Sequence, residues 1–276
     1  MRKLFVMAAL GVLAIAACSR AVPDLAIVAN ATGSLGTTFD QRLLVALVDS
    51  ESEAFLASPD LPVSVDLAGP DGEEITAPGS FLWTVPDARG LYLVNTPFPA
   101  AGQWYVTLSP EGMDATLATP FQVVDDPVVP EVGEAAPSTA TRTSADHDLS
   151  EISSDTSPDP DFYSMSLDEA IASGSPTVVV FATPGLCTSR TCGPMLDQVK
   201  SAKAAHPNAN YVHVEIYEDL TVADQSQLQV VDAVRAWGLP NEPWTFVVDE
   251  GGKVAARFEG AMGPEELEAA LTEVGA

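Results

Sequence analysis

Two patterns of hydrophobic and polar positions divide this 276-residue chain. Residues 24–125 form short stretches in which apolar and polar side chains alternate, and turn-forming residues interrupt them. From residue 162 onward, β-branched stretches alternate with stretches in which apolar residues recur at helical spacing. The first pattern predicts an all-β domain, and the second predicts an α/β domain over residues 162–276.

Turn signals separate the strands that the alternating pattern predicts in the N-terminal part, and one such turn is placed at Pro78-Gly79. The predicted strands are residues 25–30, 42–49, 63–68, 91–95, 104–109 and 120–124. Their spacing suits a sandwich of the immunoglobulin type, although no cysteine pair staples it. Residues 98–106 are in addition similar to a strand of small periplasmic immunoglobulin-like domains.

The C-terminal part is predicted to run in the order α-β-α-β-α-β-β-α. The elements are helix 166–173, strand 177–181, helix 188–205, strand 211–217, helix 228–237, strands 245–249 and 254–259, and helix 264–274. Pro264 and the two acidic residues after it suit the first turn of the last helix.

Residues 126–161 lie between the two parts and are rich in Pro, Ser, Thr, Asp and Glu, with few large apolar side chains. Such a composition buries too little apolar surface to offset the entropy lost on ordering. We therefore expect a disordered linker here, and two domains that move independently.

The charge is strongly acidic, with 39 Asp and Glu against 12 Lys and Arg and a formal net charge of -27. Such a surface repels nucleic acid and anionic lipid headgroups, so nucleic-acid binding is not expected. The carboxylates are interpreted as dispersed surface charge that keeps an exported protein soluble.

The chain begins with two basic residues and an apolar stretch at residues 4–14. This stretch is shorter than the about 20 residues that a membrane-spanning helix needs, so it is interpreted as a cleaved export signal. Together with Ile15-Ala16-Ala17-Cys18 it resembles a bacterial lipoprotein signal with its lipobox. The resemblance implies a mature protein that begins at a lipid-modified Cys18 and is anchored to a bacterial membrane outside the cytoplasm.

Two further cysteines, Cys187 and Cys192, follow the predicted strand 177–181. Cysteine pairs outside the cytoplasm tend to be oxidised, and with Cys18 lipidated these two have only each other. Residues five apart in an uninterrupted helix have Cα atoms about 8.6 Å apart, beyond the roughly 7 Å limit for a disulfide. We therefore expect Cys187 in the loop before the helix, with Thr188 or Ser189 as the N-cap residue.

The positive end of a helix stabilises a thiolate, and Arg190 adds a positive charge to the same loop. Cys187 is therefore the expected nucleophile, and Cys192 the expected resolving cysteine.

The element order over residues 162–276 resembles the thioredoxin fold. Several stretches are similar to family sequence at the corresponding places: residues 167–181, 194–199, 237–239, 243–249, 252–254 and 257–260. The resemblance implies that Pro243 is a cis-proline beside the active-site cysteine. It also implies disulfide exchange with thiols or disulfides of exported proteins, and no cofactor is expected.

Residues 192–195, Cys-Gly-Pro-Met, look like the family's Cys-Gly-Pro-Cys motif with Met195 in place of the second cysteine. Counting from the strand end at Phe181 and from Pro194 instead places Cys187 where thioredoxins carry their nucleophile. Cys192 then lies one and a half turns into the helix. The chain departs from the family motif, because its cysteines are spaced C-x4-C and not C-x2-C.

The C-x4-C spacing also resembles atypical two-cysteine peroxiredoxins of the bacterioferritin-comigratory type, so a thiol peroxidase is the second interpretation. The required proline and hydroxyl residue are displaced by one position here, and only Arg190 or Arg235 stands in for the catalytic arginine. A third interpretation is a non-enzymatic, partner-binding lipoprotein with a structural disulfide. Such a short disulfide loop would stabilise the fold by only about 2 kcal/mol.

A metal site is not expected. The histidines are His147, His206 and His213, the first in the linker and the last on a predicted core strand. The N-terminal domain contains no histidine or cysteine and only Met113 among soft ligands. Its aromatic residues are interpreted mainly as core, and the domain as a spacer or a protein-contact module.

Overall fold

The computed structural model describes residues 25–28, 30, 33–85, 87–222 and 225–276. Cys18 and the predicted export signal lie outside these residues. Within the described ranges, every helix is too short or too polar to cross a membrane.

The N-terminal region is one curled antiparallel sheet, in which the strands of the described residues follow the order β1-β2-β5-β4-β3-β6-β7. The strands are β1 (Leu25–Val28), β2 (Asp40–Val48), β3 (Val63–Ala68), β4 (Glu74–Val85), β5 (Arg89–Pro97), β6 (Gly102–Pro110) and β7 (Thr119–Val123). Leu35 forms a bridge with Val123, which draws the two edges of the sheet together. The all-β prediction is confirmed; the immunoglobulin-type arrangement stays a prediction that is compatible with this sheet.

The inside of the curl holds a core of aromatic, leucine and valine side chains, including the fully buried Trp104, Tyr92 and Phe98. Phe98 and Trp104 meet edge to face, with ring centroids 5.0 Å apart. Tyr105 points outward, as expected for the neighbour of a buried residue in a strand.

Strand β4 corrects the predicted turn at Pro78-Gly79. Residues 74–79 pair with β3, and residues 80–85 pair with β5. A side chain at position 79 would place its Cβ 3.2 Å from the Cβ of Tyr92, so the two strands approach closely there. The Pro-Gly pair thus marks the crossing of one long strand between the two halves of the sheet, which a turn signal alone does not distinguish.

The C-terminal region is a four-stranded sheet in the order β11-β10-β8-β9. The strands are β8 (Thr177–Phe181), β9 (Asn210–Val214), β10 (Trp244–Val248) and β11 (Val254–Glu259), and the helices of this region are α2 (Leu167–Ala172), α3 (Cys192–Lys203), α4 (Asp232–Ala236) and α5 (Pro264–Glu273). Strands β8 and β9 are parallel, and β10 is antiparallel to β8 and to β11.

Helices cover the two faces of this sheet. Val178 and Val180 share a core with α3 and α5, whereas Val179 and Phe181 share one with α2 and α4. Both faces of the sheet are therefore covered, which explains the continuous apolar sequence of β8.

The segment 126–161 packs against the C-terminal region and is not the disordered linker that its composition predicts. Val129 and Ile152 are buried, the latter at the end of the short helix α1 (Leu149–Ile152). The backbone N–H of Gly133 donates to the Val254 carbonyl over 2.8 Å, and the N–H of Val254 donates to Glu134 over 2.9 Å. The segment orders because its backbone extends an existing sheet edge, which composition does not register.

The two regions share a hydrophobic core. Leu82, Leu91 and Leu93 from the N-terminal sheet cluster with Cys192 and Met195 of α3. Leu82 comes so close to the start of α5 that an added Cβ on Gly263 would lie 3.0 Å from its side chain.

Charged side chains also join the two regions. Arg42 of β2 donates to both carboxylate oxygens of Glu266 over 2.7 Å. Arg257 of β11 donates to the Ser34 carbonyl over 2.8 Å and to the Gln41 side chain over 2.9 Å. Paired, partly buried contacts of this kind fix an orientation. The structure thus has the two regions in contact, where the sequence predicts separate domains on a flexible linker.

Candidate active site

Cys187 and Cys192 form a disulfide bond, with Cα atoms 6.2 Å apart. Helix α3 begins at Cys192 after the N-cap residue Thr191, so Cys187 lies in the loop of residues 182–191, here called the active-site loop. This corrects two predictions: Thr188 and Ser189 are not the N-cap, and Cys192 does not lie one and a half turns into the helix.

The two sulfurs differ in exposure. Cys187 is partly exposed, whereas Cys192 is fully buried in the core that the two regions share. The sulfur of Cys187 lies 3.2 Å from the hydroxyl oxygen of Ser189. A hydroxyl at this distance can donate a hydrogen bond to a thiolate and lower its pKa. The disulfide also lies at the N-terminal end of a 12-residue helix, where negative charge is favoured.

The Glu242–Pro243 peptide bond is cis, as the resemblance implied. The Glu242 carboxylate and the sulfurs of Cys187 and Cys192 lie within 4.8 Å of one another. The backbone N–H of Thr183 donates to this carboxylate over 2.5 Å. Burial nevertheless raises the pKa of Glu242 to about 7, because desolvation outweighs the bonds from Thr183.

A second buried acid, Glu215, lies behind the active-site loop. Its carboxylate accepts a 2.9 Å hydrogen bond from the Ser154 hydroxyl, which in turn accepts one from the backbone N–H of Gly185 over 2.9 Å. The pKa of Glu215 is raised to about 7, mainly by desolvation and with a contribution from the charge of Glu242. Two acids with a pKa near 7 are thus bonded to the active-site loop, Glu242 to Thr183 directly and Glu215 to Gly185 through Ser154.

Arg190 is exposed, and its backbone adopts the left-handed conformation with φ of 59°. Its guanidinium has no hydrogen-bond or ion-pair partner in the described part of the chain. Arg190 is three residues from Cys187 in the same loop, so its proposed electrostatic role stays a prediction.

Sequence reasoning missed the part that four residues have at this site. Glu242 had a signal, since it directly precedes the predicted cis-proline. Glu215 had none beyond residue type, and Ser189 was expected as an N-cap residue and not as a contact of the Cys187 sulfur. Arg89 comes from the N-terminal sheet and donates from Nη1 to the Ser189 carbonyl over 2.9 Å, a contact that no local pattern predicts.

Cys187, Cys192 and Glu242 are the only cluster of three potential metal ligands among the residues whose placement is described. A metal ion would need both thiolates, and the disulfide leaves neither free. The buried His213 contacts the Tyr163 hydroxyl at 2.6 Å and the Ala182 carbonyl at 2.9 Å. Burial lowers the pKa of His213 to about 4, so its ring is neutral and supports the end of β8.

A protein-family model for the thioredoxin-like domain matches residues 163–275. No curated protein matches the sequence. Similar solved structures include MTB dsbF in its mixed oxidized and reduced forms, with 22% identity, a TM-score of 0.28, and coverage of 37% of this chain and 81% of that one. A putative thiol:disulfide interchange protein DsbE from Chlorobium tepidum has 17% identity, a TM-score of 0.36, and coverage of 53% and 99%, respectively. The family match and the observed strand order together show that residues 163–275 form a thioredoxin-like domain.

Proposed function

We propose that this protein is a thiol-disulfide oxidoreductase in which Cys187 attacks and Cys192 resolves. The observation that carries the proposal is the disulfide between a partly exposed and a fully buried cysteine at the start of α3. The exposed sulfur can meet a client protein, whereas the buried one can meet only its partner sulfur.

In the reducing direction, the Cys187 thiolate attacks one sulfur of a client disulfide, and the other client sulfur leaves as a thiolate. Cys192 then attacks the Cys187 sulfur, the second client thiolate leaves, and the Cys187–Cys192 bond forms. Two electrons pass from the protein's dithiol to the client. The same steps in reverse oxidise a client dithiol and leave the protein reduced.

Glu242 is the proposed proton acceptor and donor for the cysteine pair. Its carboxylate is close to both sulfurs, and its pKa of about 7 allows it to hold or release a proton near neutral pH. It takes the thiol proton when a thiolate must attack, and returns a proton when the dithiol forms.

Pro243 is the proposed wall of the client site, as the family resemblance implies. The Pro243 carbonyl is already bonded to the backbone N–H of Gly260 over 2.9 Å, which fixes this loop to the end of β11. The backbone groups of Glu242 have no partner within the described ranges, so they are available to an extended client segment.

The proposal places the protein outside the cytoplasm, anchored to a bacterial membrane by lipid on Cys18, with exported proteins as clients. Its support is the lipoprotein-like sequence that ends at Cys18, together with an oxidised cysteine pair of the kind expected in that compartment.

Trapping of mixed disulfides tests the proposal. The Cys192→Ser variant, expressed with its signal, should accumulate client adducts that reductant releases, because the resolving attack is absent. The matched Cys187→Ser variant should form none. Absence of adducts from Cys192→Ser, together with no reduction of a disulfide test protein by the wild type, would contradict the proposal and favour a structural disulfide.

The same pair of variants separates the peroxidase alternative. Hydrogen peroxide consumption that disappears in Cys187→Ser, in a protein that forms no client adducts, would favour a thiol peroxidase. We expect adducts without significant peroxide turnover.

A further inference from the structure

The hairpin formed by β4 and β5 reaches from the N-terminal sheet to the active-site loop. At its end, Arg89 donates from Nη1 to the Ser189 carbonyl over 2.9 Å. Ser189 is two residues from Cys187, so a residue of the other region holds the loop that carries the exposed sulfur.

Arg89 is itself held in place. Its guanidinium carbon lies 4.5 Å from the centroid of the Phe55 ring, within the range of a cation–π contact. The hydroxyl of Thr84 donates to the Arg89 carbonyl over 3.2 Å, and Val85 pairs with Arg89 across the hairpin. These contacts hold both the backbone and the guanidinium of Arg89, so its side chain reaches the loop in a defined orientation.

Ser189 connects this arginine to the sulfur. While its carbonyl accepts from Arg89, its hydroxyl oxygen lies 3.2 Å from the Cys187 sulfur. The first half of the loop is held separately, because Gly185 donates to the Ser154 hydroxyl. When the disulfide opens, Cys187 loses its covalent link to α3, and the bond to Arg89 still ties the second half of the loop to the protein.

We propose that Arg89 is a positioning residue of the redox site, which fixes Ser189 so that the serine hydroxyl faces the Cys187 sulfur after the disulfide opens. The inference rests on the proposed function for its biological meaning, and it assigns the N-terminal sheet a part in disulfide exchange. The sheet is then a component of the active site and more than a spacer.

The charged and titratable groups around Cys187 come from three places: Arg89 on β5, Arg190 in the loop, and Glu242 before β10. Glu242 opposes a thiolate when it is ionised, whereas the hydroxyl of Ser189 and the arginines favour one. Loss of Arg89 releases Ser189 and so weakens the hydrogen bond that stabilises the thiolate. The Cys187 thiol should then ionise at higher pH.

Alkylation of Cys187 in the full chain tests this, followed by mass spectrometry from pH 5 to 10 in the Cys192→Ser background. Arg89→Gln should raise the apparent pKa of Cys187 by about 0.5 to 1 unit and slow alkylation at pH 7 by about 3- to 10-fold. Arg89→Lys should restore part of the shift, because lysine can still donate to the Ser189 carbonyl. Arg142→Gln is the matched control, since Arg142 also donates to a backbone carbonyl, that of Glu218, and its profile should be unchanged.

Ser189→Ala separates positioning from charge. As an exposed loop position it carries little risk to folding, and it should raise the Cys187 pKa by itself. In this background Arg89→Gln should add little, because the hydroxyl that it positions is gone. Fully additive shifts would show that Arg89 acts by its charge alone, and an unchanged profile in Ser189→Ala or in a folded Arg89→Gln protein would also overturn the inference.

The alkylation readout needs no client. If Cys192→Ser captures no client and the wild type reduces no disulfide test protein while Arg89→Gln still shifts the Cys187 profile, the proposed function is wrong and the positioning inference stands. If clients are captured and the profile does not shift, the reverse holds.

Discussion

The two buried carboxyl groups that bond to the active-site loop make the stability of this protein depend on pH between about 4 and 7. Glu215 and Glu242 ionise at about pH 7 in the folded protein, against a usual value of 4.5. Between these values the folded state binds more protons than the unfolded state, so the free energy of unfolding falls as the pH rises. Above pH 7 both carboxyl groups are ionised in the folded and in the unfolded state, so the free energy of unfolding falls no further.

Glu215→Gln tests this linkage. The amide oxygen can still accept from Ser154, and the buried charge is removed. The variant should be more stable than the wild type at pH 8 by about 1–3 kcal/mol, with no gain near pH 4, as measured by urea denaturation at both pH values. The exposed Glu250→Gln should change neither value. A gain that is the same at both pH values would refute the explanation.

Glu242→Gln tests the proton transfer proposed for the same site. Disulfide exchange at pH 7 should slow by about 10-fold or more, and the inflection near pH 7 in the rate profile should disappear. Glu215→Gln is the matched control, because Glu215 has a similarly raised pKa and is not part of the cluster with the two sulfurs. Equal slowing by both substitutions would mean that the effect is a general one of local charge.

At the residue scale, the sequence predicts the disulfide between Cys187 and Cys192 and misses the residues around it. The short C-x4-C spacing limits where Cys187 can lie, because the geometry of a helix and of a disulfide are both known. Glu215 and Glu242 come from different loops and strands, and their roles depend on burial. Burial of an acid is decided by tertiary packing, which a single sequence does not state.

Strand β4 and its hairpin with β5 are the elements on which the proposed contribution of the N-terminal sheet to the site depends. Gly90 lies under the Phe81 ring, where an added Cβ would fall 2.2 Å from a ring carbon. Gly90→Ala must therefore displace the ring or the strand, next to Arg89.

Gly90→Ala should lower the free energy of unfolding by about 1–3 kcal/mol, measured by denaturant titration. Gly193→Ala is the matched control, because an added Cβ there meets nothing within 4 Å and the position is helical. It should be neutral or slightly stabilising. Tolerance of alanine at position 90, within about 0.5 kcal/mol, would show that the ring is free to move.

At the element scale, alternation and β-branched stretches predict most strands well, with β3, β8 and β11 placed at their observed bounds. The failures share a cause. Pro78-Gly79 predicts a turn because these residues favour turns locally. Pairing of the strand with β3 and β5 overrides that preference. The start of α3 was placed too early because Thr188 and Ser189 are good N-cap residues by type, whereas the helix begins at Cys192 after Thr191.

The whole molecule is joined through the shared core and the arginine contacts, so we expect it to unfold as a unit. Leu82→Ala should remove an apolar contact between the regions and lower the free energy of unfolding by about 2–4 kcal/mol while a single transition persists. Differential scanning calorimetry and hydrogen exchange of both regions measure this. Leu117→Ala, at a 71% exposed position, should have little effect. Two separate transitions, with only the N-terminal one shifted, would contradict a joined molecule.

At the scale of the whole molecule, the sequence predicts the two regions but not the contacts between them. The amino-acid composition changes at residues 126–161, which lie between the two regions and are rich in Pro, Ser, Thr, Asp and Glu. It predicts disorder because it counts apolar residues and takes no account of backbone pairing with the edge of β11. Leu91 lies in a predicted strand and Leu82 in none, and the pattern of apolar positions does not indicate that both residues contact the other region.

The burial of Cys192 has a chemical consequence for how the disulfide is opened. A protein-sized reductant can approach only the Cys187 side, so its attack is regioselective and Cys192 becomes the leaving group. The departing thiolate is released at the first turn of α3, where backbone N–H groups lower the cost of its charge. Macromolecules can thus reach only the Cys187 sulfur, and the Cys192 sulfur takes the electron pair of the broken bond.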